Sequence, residues 1–322
     1  MKKFIKKAFP NIMECIYNLR FREKKVSYGA DNPDKVFYVY GMPDNVGGMW
    51  WHINKVLMHL GYAKDKGYIP VIDMKNFENQ YIDKENVGSI NVWEVFFDQP
   101  VGYTLEDIQK SKNIILSKHR SFPYKRYEMG QSKFYDNDER IQYFHELFKE
   151  YIHFNNKTLQ YFDSLYQKLF GGKGKILGVL CRGTDYVLKR PVNHPVQPRP
   201  EDVVKDAKQI MQSKNCNYIF VATEDQDILN LFKREFGDKL LYVEQTRSTK
   251  EELEPNDYLS HINMEKNRGV DPFARGIGYL SAIYLLSKCD CFLGGRTGGC
   301  KGVLIMSEGF ECKKIYDLGY YQ

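Results

Sequence analysis

Residues 175–185 read KILGVLCRGTD, and this stretch predicts the fold class of the chain. Ile176–Cys181 is a short apolar run without helical period, between a Gly/Lys-rich loop and a charged turn. Such a run is typical of a parallel strand that is buried on both faces. Arg182 follows the strand directly, at the edge where open α/β sheets bind their ligands. The stretch therefore predicts a ligand-facing Arg182, with a surface ion pair at a strand end as the alternative.

Strand–loop–helix units recur on both sides of this stretch, and each places its polar residues after a strand. In the first half, the strand 35–41, a Gly-containing turn, a helix that ends near Lys66 and the strand 69–73 form one such unit. The second half repeats the alternation to its end. This pattern predicts an α/β protein with two Rossmann-like domains that face a cleft. We expect the domain boundaries at an N-terminal segment 1–25, a domain 26–172 and a domain 173–322, with the loop Gly171–Gly174 between the two domains.

The composition is that of a globular protein, and its net charge is concentrated at one end. The chain has 322 residues, of which 43% are hydrophobic and 27% charged, and its net charge is +6. Residues 1–25 contain eight Lys or Arg and two Glu, whereas the remaining chain has 39 basic and 39 acidic residues. A balanced main body argues against a general nucleic-acid-binding surface. We therefore expect no nucleic-acid partner.

The segment 1–25 has apolar residues at helical spacing with Lys and Arg between them, namely Ile5, Phe9, Ile12, Ile16 and Leu19. This pattern predicts a basic amphipathic helix. Such a helix can lie in an anionic membrane interface, or it can pack on the surface of its own protein. Both interpretations remain open at this point.

Seven cysteines occur without a Cys-x-x-Cys pair and without the spacing of a zinc site. The thiols therefore indicate small buried side chains in a reduced compartment. No apolar run reaches the length of a transmembrane helix, and the N-terminus lacks the apolar core of a signal peptide. We expect a cytoplasmic protein, with peripheral attachment to the inner membrane face if residues 1–25 bind lipid.

A Gly-rich loop, GGRTGGCKG from residue 294, follows a predicted strand and opens a predicted helix. Successive backbone N–H groups at a helix N-terminus form an anion site. We predict an anion site here, with a turn that serves only tight packing as the alternative. The candidate residues are Arg296, Thr297, Gly298, Gly299 and Cys300. In the first half, a second turn offers a close backbone approach to a ligand through Asn45, Gly47 and Gly48.

A further polar strand end is Thr223, Glu224 and Asp225, which we assign to the same ligand site. Asp225-x-Asp227 also matches a metal-binding pattern, but an acid at a helix start more often caps the backbone. We therefore predict no metal and no cofactor. His194, in the proline-rich loop, is a candidate ligand contact. His52 would face the cleft from the first half as a catalytic base, with a structural histidine as the alternative.

The second half resembles the fucosyltransferases of the α1,6 type, which include the nodulation enzyme and the core N-glycan enzyme. Residues 178–186, GVLCRGTDY, with His194–Pro195 after them, are similar to the G-V-H-x-R-R-T-D-K…H-P stretch of that family. YIFVATEDQDI from residue 218 and LLSKCDCFLGGRTGGCKG from residue 285 follow in the family's order. The resemblance covers about residues 176–308. It implies a GT-B fold with a nucleoside diphosphate in the second domain, an acceptor-side first domain, no metal, and inversion at the sugar carbon.

The resemblance also implies roles for individual residues. Arg182 corresponds to the arginine that binds the donor pyrophosphate, and Asp185 to the aspartate beside it. Thr297 and Gly298 fall on the two serines of the family's phosphate loop. Among the departures, Gly183 stands where the family has a second arginine, and other positions depart as well, namely Leu180, Arg190 and Ala282.

Residues and resemblance together predict a glycosyltransferase that moves fucose or a related sugar, from a GDP-sugar, to a glycan. The expected acceptor is a bacterial-type surface polysaccharide or a lipid-linked glycan, and His52 or Asp44 would deprotonate its hydroxyl. Two alternatives are a GT-B enzyme with another donor sugar, such as a heptose, and a non-catalytic protein of this fold that binds nucleotide or glycan.

Overall fold

The structure, a computed structural model, describes residues 23–41, 47–76, 78–117, 127, 129–130, 134–249, 252, 263 and 271–322. For residues 185 and 186 it describes the backbone and not the side chains. Asp44, Asn45 and most of the predicted N-terminal helix therefore lie outside the described residues.

Nine strands occur in the described residues. They are β1 Lys24–Val26, β2 Phe37–Gly41, β3 Ile69–Asp73, β4 Ile114–Ser117, β5 Ile176–Leu180, β6 Tyr218–Ala222, β7 Leu240–Leu241, β8 Cys291–Gly295 and β9 Cys312–Tyr316. The α-helices of the same part of the chain are α1 Met49–Lys66, α2 Val92–Phe96, α3 Leu105–Ile108, α4 Asp138–Tyr151, α5 Asn156–Phe170, α6 Thr184–Lys189, α7 Pro200–Ser213, α8 Gln226–Phe236, α9 Pro272–Ser287 and α10 Gly298–Met306.

The first sheet has the strand order β1-β4-β2-β3. Strand β2 runs parallel to both of its neighbours, and Val39 lies opposite Val71 on one side and Leu116 on the other. Strand β1 is antiparallel to β4, with Lys24 opposite Leu116. Residues 24 and 25, the last two of the predicted N-terminal segment, therefore belong to an edge strand. Lysines on a short edge strand discourage pairing with other chains, which suits this position.

The second sheet is entirely parallel, in the order β7-β6-β5-β8-β9. The chain moves outward from β5 to β7 and then crosses back to β8 on the other side of β5. The strand ends are aligned, because Leu180 lies opposite both Ala222 and Gly294. Ligands of open α/β sheets bind at the point where the strand order reverses. In this sheet that point lies between β5 and β8.

Residues of both sheets and of α10 belong to one hydrophobic core. Trp50 of α1 is fully buried against Gly302 of α10, where a Cβ would overlap the indole ring. His145 of α4 bonds through Nδ1 to the carbonyl oxygen of Ile305 at 2.7 Å. Because helices from the first half enclose a helix of the second, the halves are packed together rather than joined by a linker alone.

Among the described residues, no helix combines the length and the apolar character that crossing a membrane requires.

Candidate functional site

Arg182 lies directly beyond β5, at the centre of the carboxyl edge of the second sheet. Its side chain is 27% exposed, and its Nε atom lies 3.9 Å from Oε1 of Glu224, which follows β6. The structure thus brings together Arg182 and Glu224, which were predicted as site residues from separate strands. A partly exposed guanidinium beside one carboxylate can still direct donors toward an anion.

Two carboxylates from the end of β6 hold the turn that carries Arg182. Oε1 of Glu224 accepts hydrogen bonds from the Gly183 N–H and the Thr184 hydroxyl, both at 3.0 Å. Oδ2 of Asp225 accepts from the Thr184 N–H at 3.1 Å. Thr184 has a φ of 46°, which is unusual for a residue with a Cβ. These bonds stabilise the strained turn and so orient Arg182.

Asp225 is a structural residue and not a ligand contact, contrary to the prediction. It is fully buried, and its Oδ1 caps α8 by accepting from the N–H groups of Asp227 and Ile228. The cap of α8 is therefore Asp225, two residues before Asp227. Thr223 is also buried, and its hydroxyl accepts from the Asp225 N–H at 3.1 Å. In the described part of the chain, no three His, Cys, Asp or Glu residues are grouped as a metal site.

The Gly-rich loop after β8 opens a helix, as predicted. The Thr297 hydroxyl caps α10 by accepting from the Cys300 N–H at 3.1 Å. A Cβ on Gly298 would meet nothing within 4 Å, so the backbone there borders open space. Neither Gly298 nor Gly299 has a positive φ, so the backbone there is accessible to other residue types. The N–H groups at this helix start, beside open space, form a candidate anion site.

Two side chains of this loop do not face a ligand. Arg296 is 7% exposed and ion-paired, through Nη2 to Asp136 at 2.7 Å and through Nη1 to Asp317 at 3.1 Å. Cys300 is fully buried, and burial raises the pKa of its thiol to about 12. The prediction that the charge of Arg296 adds to the anion site is therefore wrong. Instead, Arg296 anchors the loop to two other segments.

His52 does not face an open cleft. It lies in α1 with no exposed surface, and burial lowers the pKa of its imidazole to about 3. A base for an acceptor hydroxyl must reach that hydroxyl, so the assignment of His52 as catalytic base is wrong in this structure. The other candidate base, Asp44, lies outside the described residues, as do Asn45 and the side chain of Asp185.

The turn before α1 has the special geometry that the sequence predicted. Gly47 has a φ of 153°, in the region that favours glycine, and Gly48 begins the helix without a side-chain cap.

His194, in the proline-rich loop, is half-buried, and its carbonyl oxygen accepts a hydrogen bond from the Tyr321 N–H at 2.9 Å. This bond fixes the proline-rich loop to the C-terminal segment.

Four residues that sequence reasoning missed connect this turn to the second half. The side chain of Gln80 donates to the Gly47 carbonyl at 2.8 Å, and the Met49 N–H donates to the Tyr81 hydroxyl at 2.6 Å. Arg275 of α9 donates through Nη1 to the Gln80 carbonyl oxygen at 2.5 Å. The fourth, Tyr279, lies one turn after Arg275. Arg275 and Tyr279 are four residues apart and so lie on one face of α9. This spacing is the signal in the sequence that could have identified them as neighbours.

Tyr279 lies against the Gly-rich loop, since its hydroxyl would be 3.1 Å from a Cβ on Gly299. Tyr81 is buried, and burial raises the pKa of its phenol, while the positive charges of Arg275 and Arg182 act in the opposite direction. Residues 80–81 of the first half thus lie within electrostatic reach of both arginines. Contacts through Gln80, Tyr81 and α9 connect the turn before α1 with the Gly-rich loop.

No protein-family model and no curated protein sequence matches the chain. Solved structures do match. POFUT1 in its apo form is 10% identical with a TM-score of 0.53, over 89% of this chain and 99% of that one. POFUT1 in complex with GDP-fucose is 10% identical with a TM-score of 0.52, over the same shares. The fucosyltransferase NodZ from Bradyrhizobium is 15% identical with a TM-score of 0.47, over 84% of this chain and 92% of that one.

These likenesses concern the fold, because the sequence identities are low. The POFUT1 structures align over nearly the whole of both chains, which includes both sheets. The prediction of an α/β fold of the GT-B type, with two Rossmann-like domains, is confirmed.

Proposed function

We propose that the protein is a glycosyltransferase of the fucosyltransferase type, which transfers a sugar from a GDP-sugar to a glycan acceptor. The observation that carries this proposal is the placement of Arg182 and the open α10 N-terminus on either side of the strand-order reversal between β5 and β8. Support for fucose as the sugar comes from the GDP-fucose complex of POFUT1, which shares the fold. The family resemblance of residues 176–308 points to the same donor.

The proposed chemistry depends on charge that develops on the leaving diphosphate. As the bond between the sugar carbon and the diphosphate oxygen breaks, negative charge accumulates on that oxygen. Arg182, held in place by the Glu224-stabilised turn, and the N–H groups at Gly298 and Gly299 lie where they can stabilise this charge. Preorganised donors of this kind make a metal ion dispensable, so we propose metal-independent transfer.

The acceptor hydroxyl attacks the face of the sugar opposite the diphosphate, which inverts the sugar carbon. With His52 buried, we propose Asp44, near the turn that precedes α1, as the base that takes the hydroxyl proton. We propose a bacterial-type surface polysaccharide or a lipid-linked glycan as acceptor, in a cytoplasmic protein that attaches to the inner membrane face through residues 1–22.

A donor panel tests the proposed function. The full chain is incubated with GDP-fucose, other GDP-sugars, UDP-sugars and a nucleotide-heptose, and both thermal stabilisation and nucleotide release are measured. A specific ligand raises the melting temperature because it binds the folded state. We expect GDP-fucose to give both stabilisation and release of GDP in the presence of an acceptor. Stabilisation by a different nucleotide-sugar, and not by GDP-fucose, would contradict the assignment of GDP-fucose as donor. Binding of a donor without release of its nucleotide would indicate a binding protein.

Chelation tests the proposed metal independence. Transfer activity should be unchanged in excess EDTA, because Arg182 and the backbone N–H groups meet the charge of the diphosphate. The control is a metal-dependent transferase assayed in the same buffer. Activity that disappears with EDTA and returns with magnesium or manganese would contradict this part of the proposal.

A further inference from the structure

One peptide unit at the start of α10 has a carbonyl that two donors hold. The peptide unit that carries the Gly298 N–H also carries the Thr297 carbonyl, and a planar trans peptide directs these two groups opposite ways. The Thr297 carbonyl oxygen accepts from the Lys301 N–H, one turn later in α10, at 3.2 Å. Because the peptide unit is rigid, any donor that fixes this carbonyl also fixes the direction in which the Gly298 N–H points.

Tyr135 of the first half is the second donor to the Thr297 carbonyl. Its hydroxyl lies 2.5 Å from that oxygen, and since a carbonyl oxygen can only accept, the hydroxyl donates. Tyr135 is buried, and burial raises the pKa of its phenol well above its usual value, so the hydroxyl keeps its proton even in alkaline buffers. The Thr297 carbonyl thus has one donor from its own helix and one from the other half of the molecule.

The ring of Tyr135 lies near two cations, one before and one after this peptide unit. The Arg296 guanidinium carbon is 5.4 Å from the ring centroid, and the Lys301 ammonium is 5.9 Å from it, distances at which a cation attracts an aromatic ring. Asp136, the next residue, pairs with Nη2 of Arg296 at 2.7 Å, and the Met129 carbonyl oxygen accepts from Nζ of Lys301. Residues of the first half therefore hold both the Gly-rich loop and the first turn of α10.

The Tyr135 hydroxyl affects the strength of the Gly298 N–H as a donor as well as its direction. Hydrogen bonds that share a peptide unit polarise one another, and the gain is about 10–30% per bond. A Cβ on Gly298 would meet nothing within 4 Å, so an anion can approach the backbone there. A donor that is already oriented and polarised stabilises developing charge without reorganisation.

We propose that Tyr135 is a positioning residue of the donor site, which fixes and polarises the Thr297–Gly298 peptide unit for the diphosphate through its hydroxyl. The inference rests on the proposed function and deepens it, because it assigns part of diphosphate recognition to the first half of the chain. Tyr135 does not touch the ligand and acts through the Thr297 carbonyl. The second half alone therefore does not form the complete donor site.

Calorimetry with a ligand series tests the proposal. The affinities of the full chain for GDP, guanosine and inorganic pyrophosphate are measured in the wild type and in Tyr135→Phe, which loses the hydroxyl and keeps the ring near its two cations. We expect Tyr135→Phe to bind GDP and pyrophosphate roughly three- to ten-fold more weakly, the factor that corresponds to one hydrogen bond. Its affinity for guanosine should be unchanged. A role of the hydroxyl in stability alone would leave all three affinities as they are in the wild type.

Tyr38→Phe is the matched control. Tyr38 is a fully buried tyrosine of β2, and its hydroxyl forms a hydrogen bond with Nδ1 of His59 at 2.8 Å. The control therefore removes the same group from another part of the core. The melting temperature of Tyr38→Phe should fall as that of Tyr135→Phe does, whereas its affinities for all three ligands should equal those of the wild type.

Several outcomes would overturn the proposal. Unchanged affinity of Tyr135→Phe for GDP and pyrophosphate would do so, as would an equal loss for GDP and guanosine or a similar loss in Tyr38→Phe. In each of these cases, GDP binding by the wild type would leave the proposed function standing. A wild type that binds pyrophosphate but not GDP, with weaker binding by Tyr135→Phe, would contradict the proposed donor and support this inference. If the wild type binds neither ligand, both fail.

Discussion

Arg182 and Arg296 are both arginines that follow a strand of the second sheet, yet their surroundings differ. Arg182 is 27% exposed and has one carboxylate at 3.9 Å, whereas Arg296 is 7% exposed and has two carboxylates at 2.7 and 3.1 Å. Moving an arginine out of water favours close pairing with acidic residues. A buried arginine that is already paired in this way has a structural role. Both arginines have a glycine as a sequence neighbour. The difference in their exposure and pairing therefore arises from residues that are distant in the sequence.

Substitution of Arg182 should remove transfer and leave the fold intact. We expect Arg182→Ala to lose roughly 100-fold or more in kcat/KM for the donor, because a preorganised cation at the leaving group is absent. Arg182→Lys should also be strongly impaired, since an ammonium cannot form two parallel bonds. The melting temperature and kcat/KM of both variants are compared with those of Arg199→Ala, which removes an exposed arginine that is paired with Asp202. Near-normal transfer by the lysine variant would show that Arg182 is structural.

At the residue scale, the sequence predicts the position of a residue that directly follows a strand. It does not predict contacts between residues that are far apart in the chain. Arg182 was placed correctly because a buried strand leads directly to it. Asp136, one partner of Arg296, lies 160 residues away in sequence, and Gln80, one partner of Arg275, lies 195 residues away. No local pattern reports such a contact. His52 was misassigned for a similar reason, because its burial depends on what packs over α1.

Among the elements, α10 combines an open end with an enclosed body. A Cβ on Gly298, its first residue, would meet nothing within 4 Å. A Cβ on Gly302, one turn later, would lie 2.8 Å from the Cζ2 atom of Trp50 and nearer still to other ring atoms. The first glycine therefore borders open space, whereas the second allows close packing against Trp50.

This contrast gives a paired prediction. Gly302→Ala should destabilise the protein by about 1–3 kcal/mol, because the added methyl group overpacks a core that includes the Trp50 ring. Gly298→Val should keep most of the stability but weaken GDP binding far more than guanosine binding, since its side chain occupies the space beside the N–H groups. Urea unfolding and calorimetry on both variants measure the two quantities. Equal losses of GDP and guanosine affinity in Gly298→Val would show that the loop is a packing feature.

Most helices and strands could be predicted because their apolar runs are clear and because Gly and Pro residues mark the turns between them. The strand β5, the loop after β8 and the helix α10 follow from such patterns. Strand β1 was missed because it has only three residues, KKV, whose exposure pattern is that of a polar edge. Its pairing with β4 is set by a neighbouring strand and not by its own composition.

For the molecule as a whole, the buried His52 predicts loss of stability in acid. Its folded-state pKa is about 3, below the usual 6.5, so the unfolded chain takes up a proton that the folded protein does not. The stabilisation is complete above pH 6.5 and falls as the pH decreases from 6.5 toward 3, by up to about 1.4 kcal/mol per pH unit. The free energy of unfolding of the wild type and His52→Gln should therefore diverge in pH dependence over this range.

Urea denaturation at several pH values between 7.5 and 4.5 measures this difference, since other titrating groups act equally on both proteins. The wild type should show the steeper decline as the solution is acidified. Parallel curves for the two proteins would contradict the burial of a neutral imidazole at this position.

The N-terminal segment gives a second prediction at this scale. Residues 1–22 contain six basic residues and one acidic residue, and a truncation at residue 22 leaves strand β1 complete. We expect the full chain to bind vesicles that contain anionic lipid, with binding that weakens as salt is added, and the truncated chain to lose it. Neutral vesicles are the control for both chains. Collapse of the truncated protein would favour a helix that packs on the body of the molecule.

The packing of Trp50 on Gly302 also limits how the protein can move during turnover. Parting the two halves would return the indole to water, and an aromatic side chain buries 150–250 Å², worth about 5 kcal/mol at about 25 cal/mol per Å². A widely hinged conformation would then be adopted by on the order of one molecule in several thousand. In the proposed reaction, substrates should accordingly enter and products depart by displacement of surface loops rather than by separation of the two halves.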